Sequence, residues 1–285
     1  MFEMLSFGFM RTALLVAVFV GAAAACIGQV VVLRRQSNMG DALSHSALAG
    51  VALGVILGQN PVIFSLLGTL IAAVSLELVR RLFPRYAEIS TAVIMALAVG
   101  LAGIFSGFAG AGKSFQSYLF GSIVAITASE RNLTIAISAL VILLSIIFYK
   151  EIFFVTFDAN AARLAGIRTS VVEVLFTVLT ALTVGIASRS VGTLVISSLL
   201  VLPYAAAMQL HLSYFRTLLS AMIIATFNSA AGIILSYQFG LAPGGTIVVL
   251  SVAVLVLLSV ASIAWSRNQA RKNSAKRRAS RVGES

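Results

Sequence analysis

From Thr217 to Ser266 the chain runs for fifty residues without a charged side chain, interrupted only by the turn signal Gly240-Leu241-Ala242-Pro243-Gly244-Gly245. Each half of that run is long enough to cross a bilayer, which takes about 20 apolar residues in a helix. In hydrocarbon every backbone N–H and C=O must find its partner inside the segment, so helix is the form such runs adopt. Further uncharged runs cover Thr12–Leu33, Ile89–Gly112, Asn132–Tyr149 and Ser190–Phe215. With 60% hydrophobic and 10% charged residues, and a mean hydropathy of +1.04, too few charges are available to coat a soluble core. These features predict an all-α, polytopic helical membrane protein with no soluble domain.

About nine spans are expected, at 8–33, 41–58, 61–80, 89–111, 132–149, 170–188, 190–211, 217–237 and 246–266. The apolar stretch 114–129 is too short for an ordinary span and reads as a re-entrant or interfacial helix, or a tenth span. The first run exceeds the 7–15 residues of a signal-peptide core and no basic region precedes it, so it reads as a span. Cys26, the single cysteine, permits no internal disulfide and reads as a small core residue. Residues 1–266 form the expected transmembrane domain, and 267–285 a basic cytoplasmic tail expected to be disordered.

The formal charge of +11 is unevenly placed. With the N-terminus outside, Arg34, Arg35, Arg80, Arg81, Arg85, Lys150, Arg163, Arg168, Arg216 and seven tail residues face the cytoplasm. Only Arg11, Lys113, Arg131 and Arg189 lie outside. Cytoplasmic enrichment of Lys and Arg favours this orientation and contact with anionic lipid. No nucleic-acid recognition module accompanies the tail, so no nucleic-acid partner is expected.

Within this apolar setting Asp41 and His45 stand out. They lie four residues apart in Gly40-Asp41-Ala42-Leu43-Ser44-His45-Ser46, and the chain has two histidines and nine acidic residues in all. Ionisable groups in a membrane segment are costly and mark functional sites. On a helix this spacing puts both on one face, and carboxylate with imidazole suits zinc, manganese or iron. The plainer alternative is that Asp41 caps the second helix and His45 bonds a neighbouring helix. Gly50, Gly54 and Gly58 form a ladder that lets another helix approach closely. Asn228 is expected to make an interhelical hydrogen bond, and His211 to be interfacial. The stretch from Gly107 to Ser114 fits a phosphate-loop pattern, but it joins two membrane segments and lacks the strand and acidic residue that the chemistry requires. From Phe157 to Ile167, Asp158 reads as an N-cap, the alanines propagate a helix, and Gly166 ends it. That short helix reads equally as a docking surface or an interfacial loop.

Taken in order, several stretches resemble the permease subunits of metal-type ABC importers. They are Leu33-Arg34-Arg35-Gln36-Ser37-Asn38-Met39-Gly40-Asp41-Ala42-Leu43-Ser44-His45 with Gly50; Phe157-Asp158 with Ala161 and Leu164-Ala165-Gly166-Ile167; Val191 to Pro203; and Pro243-Gly244-Gly245. Ser117-Tyr118-Leu119-Phe120-Gly121-Ser122 is similar too. The resemblance spans residues 11 to about 266. It implies a multi-pass protein of the bacterial inner membrane, a homodimer working with a cytoplasmic ATPase and an extracytoplasmic metal-binding protein. It makes Phe157, Asp158, Ala161, Ala162, Leu164, Gly166 and Ile167 the coupling loop seated on the ATPase, and it puts Asp41 and His45 on the metal's route.

A transport subunit of this kind is not itself an enzyme and needs no resident cofactor; a divalent metal is its cargo. Two ligands are too few for a closed site of four, which suits passage with release. Ser44, Ser46, water or the second protomer are the expected completing ligands. Zinc is favoured, because residues 179–203 most resemble zinc-uptake permeases, with manganese or iron as alternatives. The rivals are an ABC permease for a siderophore or cobalamin, and a secondary transporter working without an ATPase.

Overall fold

The computed structural model describes residues 6–83, 87–108, 119, 121 and 126–282, and they are helical almost throughout. Eleven helices are described, in order: α1 Gly8–Leu33, α2 Ser37–Ile56, α3 Pro61–Leu82, α4 Ala87–Phe108, α5 Ala128–Ile147, α6 Tyr149–Phe157, α7 Ala159–Leu164, α8 Thr169–Ser190, α9 Ile196–Met208, α10 Tyr214–Phe239 and α11 Pro243–Val282. Among the described residues, eight of these are long and apolar enough to cross a membrane. The expected span at 190–211 is broken. Gly192 adopts φ 94°, a 3₁₀ turn follows at Thr193–Val195, and α9 has thirteen residues. At a rise of 1.5 Å per residue α9 is about 20 Å long, short of the ~30 Å hydrocarbon core.

Local chemistry explains the boundaries. Asn60 accepts from the Val62 N–H and Pro61 opens α3, where a missing N–H costs nothing. Thr127 and Glu130 form a reciprocal capping box at the start of α5. Helix α11 runs on from its spanning part into the basic tail, as far as Val282. Its Arg, Lys, Ala and Gln are strong helix formers, and no Gly or Pro interrupts them.

Helix α1 is the axis of the bundle. Its membrane-crossing window is 72% buried, and it packs against α10, α5, α9 and α8. The contact with α9 is close enough that a Cβ at Gly28 would collide with the Leu200 carbonyl. Helix α2 packs on α3 and α4, and α3 leans on α8. Gly50 and Gly68 face each other across the α2–α3 seam. A Cβ at Gly50 would strike the Phe64 carbonyl, and one at Gly68 would lie 2.7 Å from the Ser46 carbonyl. Gly54 also abuts Phe64 and Pro61.

Gly58 corrects the expected ladder. It lies beyond the end of α2 at φ 62° with nothing packed on it. Its N–H donates to the Val55 carbonyl (3.2 Å) and the Gln59 N–H to the Gly54 carbonyl (2.9 Å). That is a left-handed C-terminal turn, which glycine adopts without steric cost.

Candidate functional site

Helix α2 begins at Ser37, four residues earlier than its apolar onset predicts, because Met39 and Gly40 are buried against the bundle. Asp41 is therefore inside the helix. The N-cap position is Gln36, so the expectation that Asp41 could cap α2 fails. Asp41 and His45 are both half-buried, one turn apart on the same face. Among the described residues neither has a hydrogen bond or ion pair, so His45 makes no interhelical bond either.

The serines beside the pair are committed elsewhere. Ser44 Oγ donates to the Gly40 carbonyl (2.7 Å) and Ser46 Oγ to the Ala42 carbonyl (2.8 Å). Both are buried and turned back onto their own helix, which takes them off the open face as completing ligands. No group of three or more His, Cys, Asp and Glu side chains assembles among the described residues. The pair is thus two groups able to ligate a metal on one face of α2, both partly open to solvent.

Helices α6 and α7 lie at the end of the bundle where α1 and α3 finish and α8 and α10 begin. Tyr149, Phe153 and Phe157 stack against Tyr214, with ring centroids 4.8–5.8 Å apart. Burial raises the Tyr149 phenol above its ordinary value. Asp158 accepts from the Asn160 and Ala161 N–H groups, both at 2.9 Å, and starts α7. Gly166, at φ 85°, ends it: its N–H donates to Arg163 and that of Ile167 to Ala162, both 3.0 Å. Ala162 is wholly buried and anchors the short helix, while Leu164 is 91% and Phe157 61% exposed. Asp158, Ala161 and Gly166 are exposed as well, and Ile167 is half-buried. An apolar knob of this kind on an aqueous end fits a partner surface.

Charged groups gather at the same end. Arg34 bonds the Val155 carbonyl (3.1 Å) and Glu173 (3.4 Å), and Arg81 bonds Glu77 (3.1 Å) and Ser170 (2.8 Å). His211 lies there too, exposed, in the turn between α9 and α10 at φ 51°. Sequence reasoning used Arg34 for membrane orientation and within a family-like stretch but gave it no contact, because its partners are 121 and 139 residues away. It also missed Gln29, which is buried and donates to the Tyr214 carbonyl (3.1 Å). The phosphate-loop-like stretch and Ser117–Ser122 fall largely outside the described residues.

The sequence pattern of the ABC 3 transport family matches residues 6–262. The chain belongs to that family. Among its relatives, a "Probable metal transport system membrane protein" of Treponema pallidum (strain Nichols) is 31% identical over 255 residues, covering 90% of this chain and 96% of the relative. The manganese import system permease protein ScaB of Streptococcus parasanguinis is 30% identical, covering 89% and 90%. Among solved structures, PsaBC from Streptococcus pneumoniae in complex with Fab superposes with a TM-score of 0.79 at 29% identity, over 88% of this chain and 91% of that one. The family chain is a multi-pass ABC transporter permease of all-helical fold, and the bundle described above is that fold.

Proposed function

We propose that this chain is the permease subunit of an ATP-driven importer of a divalent first-row transition metal. The observation that carries the proposal is the half-buried Asp41/His45 pair, whose ligand atoms no protein group occupies among the described residues. Two uncompensated ionisable groups in a spanning helix are costly unless they serve a passing ion. The metal is the substrate, taken from an extracytoplasmic binding protein and released on the far side of the membrane. Because the pair is open on one side, a second copy of the chain or water completes its shell during passage. A homodimer supplies two pairs across one pathway.

Helix α7 is the seat for a cytoplasmic ATPase, with Leu164 and Phe157 as the apolar contacts. This places the basic end of the bundle and the C-terminus in the cytoplasm of a bacterial inner membrane, with the many Arg and Lys residues against anionic lipid. The metal in first place is manganese, after the names of the relatives. The Asp/His pair also accommodates zinc, the ion favoured by the resemblance of residues 179–203.

The experiment is uptake by the reconstituted complex of permease, ATPase and binding protein. Accumulation is expected to require ATP hydrolysis and to be competed by free manganese or zinc. Accumulation that persists without the ATPase would make the chain a secondary transporter. Uptake of a bulky chelate with no competition by free metal would make it a chelate permease.

A further inference from the structure

Arg34 stands where three elements meet. Its Nη2 donates to the Val155 carbonyl at 3.1 Å and lies 3.4 Å from Glu173 Oε1, and its side chain is 14% exposed. Val155 is in the last turn of α6, where helix carbonyls lack partners within the helix and favour a cation. The Asp158 N–H returns to the Phe154 carbonyl, which leaves Val155 to Arg34. The guanidinium therefore closes the end of α6 just before the cap of α7.

On its other side Arg34 leads straight into α2. The Arg35 N–H donates to Val32 (3.0 Å) and the Gln36 N–H to Val31 (2.8 Å), with Arg35 at φ 55°. That turn usually carries glycine, and a bulky residue held there marks a backbone fixed by its surroundings. Three residues later α2 starts, and Asp41 follows seven residues after Arg34. The start of α2 is held a second time by Arg80, whose Nη2 lies 3.8 Å from Met39 Sδ.

We propose that Arg34 is a positioning residue that ties movement of α6–α7 to the α1–α2 turn, and through it to Asp41 and His45. The contact that matters is guanidinium to carbonyl. The ion pair is longer, and Glu173 is 39% exposed, so solvent screens it. This inference rests on the ATP-driven reading above.

The test is the full complex in liposomes, scored as metal ions moved per ATP hydrolysed. Arg34→Gln is expected to assemble and to hydrolyse ATP within about twofold of wild type, while moving about tenfold fewer ions per ATP, the factor a charge-assisted hydrogen bond carries. Arg34→Lys keeps the charge without the planar fork and should fall between them. Glu173→Gln should stay near the wild-type ratio. A wild-type ratio in Arg34→Gln, or hydrolysis and transport falling together, overturns the proposal. Equal loss in Glu173→Gln overturns the carbonyl clamp. If Arg34→Gln does not assemble, Arg34→Lys decides, and a wild-type ratio there counts against the proposal. Failure of the ATP-driven reading itself would show first in the wild-type arm, as uptake without ATP.

Discussion

Helices α2 and α11 invert the logic of a soluble protein. The crossing window of α2 has a mean hydropathy of 1.3 and is 72% buried, while that of α11 has 2.9 and is 11% buried. In water the more apolar helix would be the hidden one. In lipid the solvent is itself apolar, so Val249, Leu257 and Trp265 of α11 can face outward without cost. The polar and small residues of α2 go inward, where close packing takes place and where the proposed ion contact lies. Low hydropathy within a span is therefore the signal of function here.

The largest expected effect tests that contrast directly. Asp41→Asn and His45→Gln keep size and remove a ligand charge or metal-binding nitrogen. Each should reduce metal uptake by about 100-fold, the upper range for losing even an outer partner of a metal site. Val249→Ala and Leu257→Ala on α11 should leave uptake within about twofold, since they change only lipid-facing surface. Initial rates in liposomes at equal protein content measure both. Equal losses on the two helices would end the distinction between a working helix and a peripheral one.

Packing gives the next effect. Gly50→Ala forces a methyl group into the Phe64 carbonyl, and overpacking of this sort costs about 1–3 kcal/mol. Gly245→Ala, in the first turn of α11, meets nothing within 4 Å and should gain about 0.5–1 kcal/mol from lower chain entropy. The thermal midpoints of the solubilised permease should therefore move in opposite directions. A smaller effect concerns how motion reaches α2 at all. Asp158→Ala removes the two cap bonds of α7 at about 1 kcal/mol. It should lower ATPase-dependent uptake several-fold while the melting midpoint of α2–α3 packing variants stays additive with it.

Much of this was legible in the residues themselves. Uncharged runs located the spans because a membrane helix must satisfy its backbone alone, and Asp158 with Gly166 marked both ends of α7. The spacing of Asp41 and His45 put them on one face. What escaped had tertiary causes. Gly58 extends a spacing of four and so reads as packing, yet α2 stops at Ile56 and uses it as a turn. Ser37 and Asn38 look like loop, but burial of Met39 and Gly40 draws them into the helix. The run 190–211 hides a break, because Gly192 is one small residue among many. Arg34 looks like any other basic residue at a span end until the fold brings Val155 and Glu173 to it.

The smallest effect tests whether α11 is as peripheral as its surface suggests. Asn228 of α10 is 0% exposed and donates from Nδ2 to Ser251 Oγ of α11 at 3.1 Å, while its Oδ1 has no partner among the described residues. Side-chain hydrogen bonds between membrane helices average about 0.6 kcal/mol, because the separated helices also find partners. A double-mutant cycle with Asn228→Ala and Ser251→Ala should therefore return a coupling of about that size. Asn228→Leu should be close to neutral, since it removes an unsatisfied acceptor along with the bond and keeps most of the volume. A coupling of about 2 kcal/mol or more, above the range seen for such bonds, would make α11 a structural member of the bundle. Its outward apolar face would then say only what it touches, and the contrast with α2 would rest on the ionisable pair alone.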